Sequence, residues 1–211
     1  DDGDLEKGVS WPSPRFTDNG NGTMTDNMTG LVWLKSLSTS TYTWADGITY
    51  CEGLTTGATD WRMPNVRELR SLVHYGQSAL HTWLNGQGFV DVQSDSYWSS
   101  TTSASTSSKA WYLNIYGGGG VIMDFGGGKT ISKYLWPVRF ASLSLSMTGQ
   151  STEYTSGDDG TYKKGVSFPV IRFNDNGDGT LTDNMTGLIW LKNANNMGNV
   201  MTWADALAYV D

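Results

Sequence analysis

Six oxygen-bearing side chains, three in each of two similar stretches, could bind calcium. Calcium takes about six to eight oxygen ligands, which carboxylates and amides supply. The spacing is not that of an EF-hand loop, because glycine occupies the third and fifth positions of each stretch. Asp, Asn and Gly also form tight turns, and that explanation needs no metal. We expect turns without metal at Asp18, Asn21 and Asp26 and at their counterparts Asp175, Asp178 and Asp183.

Residues that commonly carry catalysis are scarce. His74 and His81 are the two histidines, and neither stands beside a nucleophile motif. Cys51 is the single cysteine, so no disulfide can form within the chain. The glycine run at 117–120 lies between two predicted strands, which favours a hairpin over a phosphate-binding loop. We therefore expect no enzyme activity and no cofactor.

A strand of alternating residue types offers a candidate binding surface. Between residues 111 and 116 apolar side chains alternate with tyrosine and asparagine, so one side should face the core and the other solvent or a ligand. Tyr and Asn combine rigid amphipathic area with adaptable hydrogen bonding, and aromatic rings stack on sugars. The alternative is an ordinary solvated strand face. We call this candidate ligand-binding set the outer strand face; it comprises Tyr112, Asn114, Tyr116, Asp124, Lys129, Lys133 and Tyr134.

The chain contains a long internal repeat. Residues 8–35 align without a gap on residues 165–192, with 21 of 28 positions identical. The repeat length of about 157 residues exceeds any solenoid unit, so each copy should be an autonomous domain in a tandem array. We predict a complete module at 1–141, a polar linker at 142–157 and the opening part of a second copy at 158–211.

The local patterns predict an α+β fold. Turn residues between β-formers indicate paired short strands over 15–35. Capping boxes predict helices near 44–53 and 65–75, and helical periodicity is absent after residue 76, where a strand-rich half follows. The tryptophans expected to be buried are Trp33, Trp44, Trp61, Trp98 and Trp111.

Composition excludes some partners. The net charge of −7 argues against nucleic acid, because phosphate binding needs a basic face. No run of 18 apolar residues occurs, so we expect no membrane insertion. Ten Trp, ten Tyr and 26 Gly are typical of loop-rich domains packed around aromatic anchors.

Five motifs, in order, resemble the C-terminal domain of the Legionella collagen-like adhesin. They are DNGNGTMTDNMTGLVWLK, TWADGITYC, DWRMPNVRELRSLVHYG, YWSSTT and LWPVRF. The resemblance implies a C-type-lectin-like fold related to the formylglycine-generating enzyme, whose paired active-site cysteines a lone Cys51 cannot supply. It also implies an exported bacterial domain, extracellular or at the cell surface, that binds glycans. Some relatives are targets of diversity-generating retroelements, which rewrite surface codons after the YWSS motif.

Two functional hypotheses follow from these patterns. The first is an extracellular recognition or adhesion module for glycans or surface proteins. The second is a structural repeat module of a surface fibre, in which neighbouring copies of the module contact each other head to tail. The strands and helix at 172–210 should then be covered, either by a continuing array or by another subunit.

Overall fold

A computed structural model describes residues 1–116, 122–195, 198 and 200–210, without the side chains of 122–126 and 210. Contacts divide the chain into two compact units, one of residues 11–167 and one of residues 1–10 with 168–211. The helices and strands of the described residues are, in chain order, α1 (Asp2–Leu5), β1 (Phe16–Asp18), β2 (Thr23–Asp26), β3 (Val32–Leu34), α2 (Trp44–Glu52), α3 (Val66–Arg70), α4 (Leu80–Gly86), β4 (Ser96–Thr102), β5 (Lys109–Asn114), β6 (Ile122–Gly128), β7 (Val138–Arg139), α5 (Asp159–Tyr162), β8 (Phe173–Asp175), β9 (Thr180–Asp183), β10 (Ile189–Leu191) and α6 (Trp203–Val210).

The predicted hairpins at the start of the larger unit are confirmed. Strands β1, β2 and β3 pair in antiparallel fashion, and β7 from the far end of the unit adds to β3, giving the order β1-β2-β3-β7. Gly20 and Gly22 have φ values of 75° and 83°, a region that side-chain-bearing residues rarely adopt. The Asn-Gly-Asn-Gly stretch therefore forms the turn that sets this register.

A second antiparallel sheet has the order β4-β5-β6. Its register shifts between Trp98 and Thr102 and again between Ala110 and Tyr112. Because a bulge breaks the strict alternation of side chains, Ala110 is buried and Trp111 is only half-buried. Trp111 is therefore less buried than the other four tryptophans that were predicted to be largely buried.

The helices match the sequence prediction in part. Helix α2 begins after Thr43, whose side chain accepts a hydrogen bond from the Asp46 backbone N–H, so the predicted cap is present. The Asp46 carboxylate accepts from the Thr43 hydroxyl and not from its backbone N–H, so the predicted capping box forms only in part. Helix α3 ends at Arg70, five residues earlier than expected, and the chain continues in turns. Helix α4 was missed; its signal was the pair Leu80 and Leu84, which are four residues apart and both buried.

The core of the larger unit consists of two aromatic clusters. One contains Trp33 and Trp136, whose rings meet edge to face at 6.1 Å. The other surrounds Trp44 and Trp98. Trp33, Trp44, Trp61 and Trp98 are each at most 2% exposed, so this part of the burial prediction is confirmed. The architecture is a mixed α+β arrangement of short helices and antiparallel sheets; the C-type-lectin-like fold stays a prediction.

Residues 142–167 belong to the larger unit and are hydrogen-bonded within it. The Ser142 hydroxyl donates to the Thr29 carbonyl at 2.9 Å, and the backbone of Val166 bonds to Leu145 and Met147. Helix α5 contacts strand β4. The predicted boundaries at 141 and 157 stay a prediction, but the polar segment between them is an ordered part of this unit.

The second copy of the hairpins forms its own antiparallel sheet, β10-β9-β8. Apolar side chains of these strands are exposed, including Phe173 at 50% and Trp190 at 52%. The backbone pairing therefore forms in this copy without the burial that accompanies it in the first.

Candidate functional site

Tyr112 and Lys133 of the outer strand face form one packed cluster. The Lys133 Nζ lies 3.8 Å from the centre of the Tyr112 ring, which meets the buried Trp98 ring edge to face at 6.1 Å. A lysine over an aromatic face makes a cation–π interaction. Tyr112 is half-buried, so part of this predicted ligand surface packs against the core.

Lys129 is held by a different set of groups. Its Nζ lies 3.8 Å from the Trp44 ring centre and 4.9 Å from that of Tyr154, and it donates to Thr102 Oγ1 at 2.8 Å. Desolvation by burial lowers the pKa of Lys129. Its ammonium is thus enclosed by aromatic rings and a hydroxyl.

The remaining members of the outer strand face are dispersed. Tyr116 is 59% exposed, and its backbone N–H donates to Asn114 Oδ1 at 3.1 Å. Tyr134 packs against the Tyr97 ring at 5.7 Å. The side chain of Asp124 and the predicted turn at 117–120 lie outside the described residues.

The same unit also contains a cleft, and none of the described residues that line it belongs to the outer strand face. It is an open cleft of about 970 Å³ between helix α3, strands β4 and β5, and the segment 144–154. Its lining combines cationic, aromatic and amide side chains: Arg67, Arg70, Tyr75, Trp111, Gln150 and Tyr154.

Helix α3 places the two arginines in the cleft. They stand three residues apart and so share one side of the helix. The helix is fixed by Asn65, whose side chain caps the N–H groups of Arg67 and Glu68. Glu68 in turn forms a buried two-point ion pair with Arg62, at 2.7 and 2.6 Å. This wall of the cleft is therefore rigid at its base.

The opposite wall is the polar segment that the sequence predicted to be a linker. Gln150 Oε1 accepts a hydrogen bond from the Thr102 backbone N–H at 2.7 Å. Asp158 Oδ2 accepts from Gln150 Nε2 and from the Tyr154 backbone N–H, both at 3.0 Å. These bonds hold the wall against strand β4. The only sequence signal for this role was that residue 158 begins a repeated segment.

The cleft is locally basic although the chain is acidic overall. Among the described residues that line it, the charged side chains are Arg67 and Arg70, and none is Asp or Glu. Arg70 Nε also donates to the Tyr75 hydroxyl at 3.1 Å, which joins a cation to an aromatic ring. Arginine binds carboxylate and sulfate-like oxygens through two N–H groups, and tyrosine or tryptophan rings stack on flat apolar faces. The arrangement suits an anionic ligand with an apolar face.

The calcium hypothesis receives no support from the geometry. Asp18 pairs with Lys35 at 2.5 Å and accepts from the Gly20 backbone N–H, contacts that lower the pKa of Asp18. Asp26 is buried in a two-point pair with Arg15. Within the described residues no group of three or more His, Cys, Asp or Glu is placed to hold a metal ion.

The histidines and the cysteine occupy structural positions. The His74 ring packs against Trp11 at 4.4 Å and Trp83 at 5.2 Å, and His81 lies beside the Thr82 hydroxyl. Cys51 is fully buried, and desolvation raises the pKa of its thiol, so the reactive thiolate is disfavoured. None of these three residues lines the cleft.

By its fold and its cleft, the protein is an α+β domain with an open surface site lined by arginine and aromatic side chains. Residues 22–139 match the Lcl C-terminal domain, and because this match spans more than half of the chain, the protein belongs to that family. The resemblance inferred from the five motifs is confirmed. No curated protein and no solved structure matches the chain.

Family membership indicates a surface-associated, adhesin-like bacterial domain of a kind not known as an enzyme. Among the helices that the structure describes, none combines the length and the apolar composition that crossing a bilayer requires.

Proposed function

We propose that this domain is an extracellular recognition module that binds anionic glycans in the cleft between α3 and the 144–154 segment. The observation that carries the proposal is the convergence of two arginines with three aromatic rings in a site that contains no carboxylate among its described lining residues. Sulfates or carboxylates on a sugar would bind Arg67 and Arg70, and a pyranose ring would stack on Trp111 or a tyrosine.

The C-type-lectin-like fold is part of the same proposal. Short helices beside antiparallel sheets, with a ligand surface formed by loops and strand edges, are compatible with it. The alternative is that a surface protein binds at the outer strand face, where Tyr116 is exposed.

A glycan array that pairs sulfated and unsulfated forms of the same oligosaccharides tests the proposal, followed by calorimetric titration of the best hit. The variant Arg67→Gln/Arg70→Gln should bind at least tenfold more weakly, because each lost charge-assisted hydrogen bond contributes about 1.5–3 kcal/mol. Affinity for the wild type should fall as salt concentration rises.

Two control variants locate the site. Lys7→Gln/Lys192→Gln removes the same charge from exposed lysines outside the cleft and should bind as the wild type does. Tyr112→Ala/Tyr116→Ala alters the outer strand face and should also bind normally. Loss of binding in the tyrosine variant, with full binding in the arginine variant, would move the site to the outer strand face and reject the cleft.

The second candidate function is that of a structural repeat module in a surface fibre assembled head to tail. One contact within the chain favours it. The opening residues of the second copy are seated on the body of the first.

A further inference from the structure

Two copies of one ten-residue segment occur in different surroundings. Residues 1–10 and 158–167 are identical at seven of ten positions. Both form a four-residue helix, α1 or α5, that ends in a left-handed residue, Glu6 at φ 44° or Lys163 at φ 47°. The glycines that follow, Gly8 and Gly165, have φ values of 124° and 119°. The two segments therefore have the same local fold.

The 158–167 segment contacts the rest of the larger unit through Asp159, near its N-terminal end. Asp159 is 3% exposed, and its Oδ2 accepts hydrogen bonds from Thr101 Oγ1 at 2.8 Å and Thr148 Oγ1 at 2.5 Å. Asn65 Nδ2 donates to the Lys164 carbonyl at 3.2 Å. We call the surface that holds this segment, formed by residues 65, 101 and 145–154, the docking groove.

The two segments differ at three positions, and one of them contacts the larger unit outside the docking groove, since the Tyr162 hydroxyl donates to Glu52 Oε1 at 2.6 Å. The three positions that differ are Thr161, Tyr162 and Lys163, and all three are exposed in the seated segment. The buried positions 158–160 are Asp-Asp-Gly in both copies. The residues that the groove contacts most closely are thus retained at 1–10.

Gly160 and its counterpart Gly3 indicate independently that residues 1–10 fit the docking groove. A Cβ added to Gly160 would overlap the carbonyl of Thr152, so this position requires glycine. Its counterpart Gly3 meets only the side chain of Asp1. Glycine within a helix is less stable than alanine by about 1 kcal/mol. Gly3 therefore has no local reason to be glycine, whereas a close approach to a groove backbone would supply one.

We propose that residues 1–10, which are exposed throughout in this structure, are a docking segment for a second copy of this module. They bind its docking groove as residues 158–167 bind the groove here, with Asp2 in the place of Asp159 and Gly3 in the place of Gly160. This inference rests on the second proposed function, head-to-tail assembly. The docking groove shares residues of the 145–154 segment with the cleft, so both tests below are made without glycan.

The first test places the 1–10 sequence in the groove of the full chain. The variant Thr161→Asp/Tyr162→Leu/Lys163→Glu converts residues 158–167 to the sequence of residues 1–10. The Val166 and Met147 amides, whose hydrogen bonds join the segment to the docking groove, should keep their protection from hydrogen exchange within about threefold of the wild type. Loss of that protection, with the rest of the unit still protected, would show that the 1–10 sequence does not fit the groove and would overturn the proposal.

The second test is docking between molecules. Gly160→Val should expel the chain's own segment, and an acetylated, C-terminally labelled peptide of residues 1–10 should then bind with a saturable rise in fluorescence anisotropy. Wild-type protein, whose groove is filled, should bind at least tenfold more weakly, as should a Gly3→Val peptide with the variant.

Near-ultraviolet circular dichroism checks that Gly160→Val keeps its packed core. A folded variant that binds neither peptide, or binds both equally, would overturn the proposal. Should Gly160→Val unfold, the three-residue conversion decides by itself, since it leaves the buried positions 158–160 unchanged. Failure of glycan binding would leave both results unchanged, so the two proposals fail separately.

Discussion

The two copies of the β-hairpin segment, β1–β3 and β8–β10, share their local structure and differ in burial. Trp33 is fully buried, and its counterpart Trp190 is 52% exposed. Leu31 is buried, and Leu188 is 54% exposed. Nearly identical sequences thus occupy a core in one copy and a surface in the other.

Polar contacts within the hairpins recur almost atom for atom. Asn19 Nδ2 donates to Thr23 Oγ1 at 2.8 Å, and Asn176 Nδ2 donates to Thr180 Oγ1 at the same distance. Lys35 pairs with Asp18 as Lys192 pairs with Asp175. Turn chemistry and short-range hydrogen bonds therefore determine the hairpins, and burial is added by elements distant in the sequence.

Those distant elements are identifiable in the first copy. Strand β7 pairs with β3, and the Trp136 ring beside it packs on Trp33. The Phe89 ring also meets the Trp136 ring edge to face, at 5.1 Å. Within the described residues the second copy's strands have no such cover.

The largest effect should come from the matched tryptophans. Trp33→Ala removes a fully buried ring and should lower the free energy of unfolding by about 3–5 kcal/mol. Trp190→Ala should change it by less than about 1 kcal/mol, because the ring is half in water. Urea denaturation followed by circular dichroism measures both. Equal losses would mean that Trp190 is covered in solution.

A smaller loss is expected at the matched ion pairs. Asp26→Ala leaves the buried Arg15 without its carboxylate and should cost about 3 kcal/mol. Asp183→Ala should cost less, because Arg172 is 35% exposed and water can hydrate it. Denaturation midpoints of the two variants at one pH measure the difference. A larger loss for Asp183→Ala would contradict the contrast.

Much of the fold could be predicted where short-range chemistry decides it. The hairpins and the start of α2 follow from turn glycines and a capping threonine, groups that act within a few residues. Helix α4 was missed because its apolar signal is a single pair of leucines. Trp111 is less buried than its alternation predicts, because a bulge depends on cross-strand register, which periodicity within one strand does not contain.

The candidate site was less predictable. Alternation singled out Tyr112 and Tyr116, but side chains from other elements cover Tyr112. The cleft joins helix α3 to residues 144–154, which are about 80 positions away in the sequence and carry no apolar periodicity. What holds those residues in place is the start of the next copy, through Asp158.

The matched glycines Gly160 and Gly3 should differ in how much stability an added methyl group costs. Gly160→Ala places a methyl group against the Thr152 backbone and should destabilise the larger unit by about 2 kcal/mol. Gly3→Ala meets no such backbone and should be neutral or stabilise helix α1 by up to about 1 kcal/mol. Thermal unfolding of the two variants separates them. A neutral Gly160→Ala would show that the segment is not seated as described.

The smallest effect is a pH dependence of opposite sign at two carboxylates of the second copy, the buried Asp159 and the ion-paired Asp183. Burial raises the pKa of Asp159, so its protonated form is favoured in the folded state. Its contribution to stability is therefore fully present below the unfolded pKa of about 3.9 and decreases as pH rises through the higher folded value. The hydrogen bond from Arg172 lowers the pKa of Asp183, whose contribution is present above that unfolded value and is lost as pH falls. Between pH 3 and 7, the melting-temperature advantage of the wild type over Asp159→Asn should shrink with rising pH, and its advantage over Asp183→Asn should grow. Thermal scans of the three proteins across this range measure both slopes, and slopes of the same sign would show that the Asp159 carboxylate is not desolvated in the docking groove.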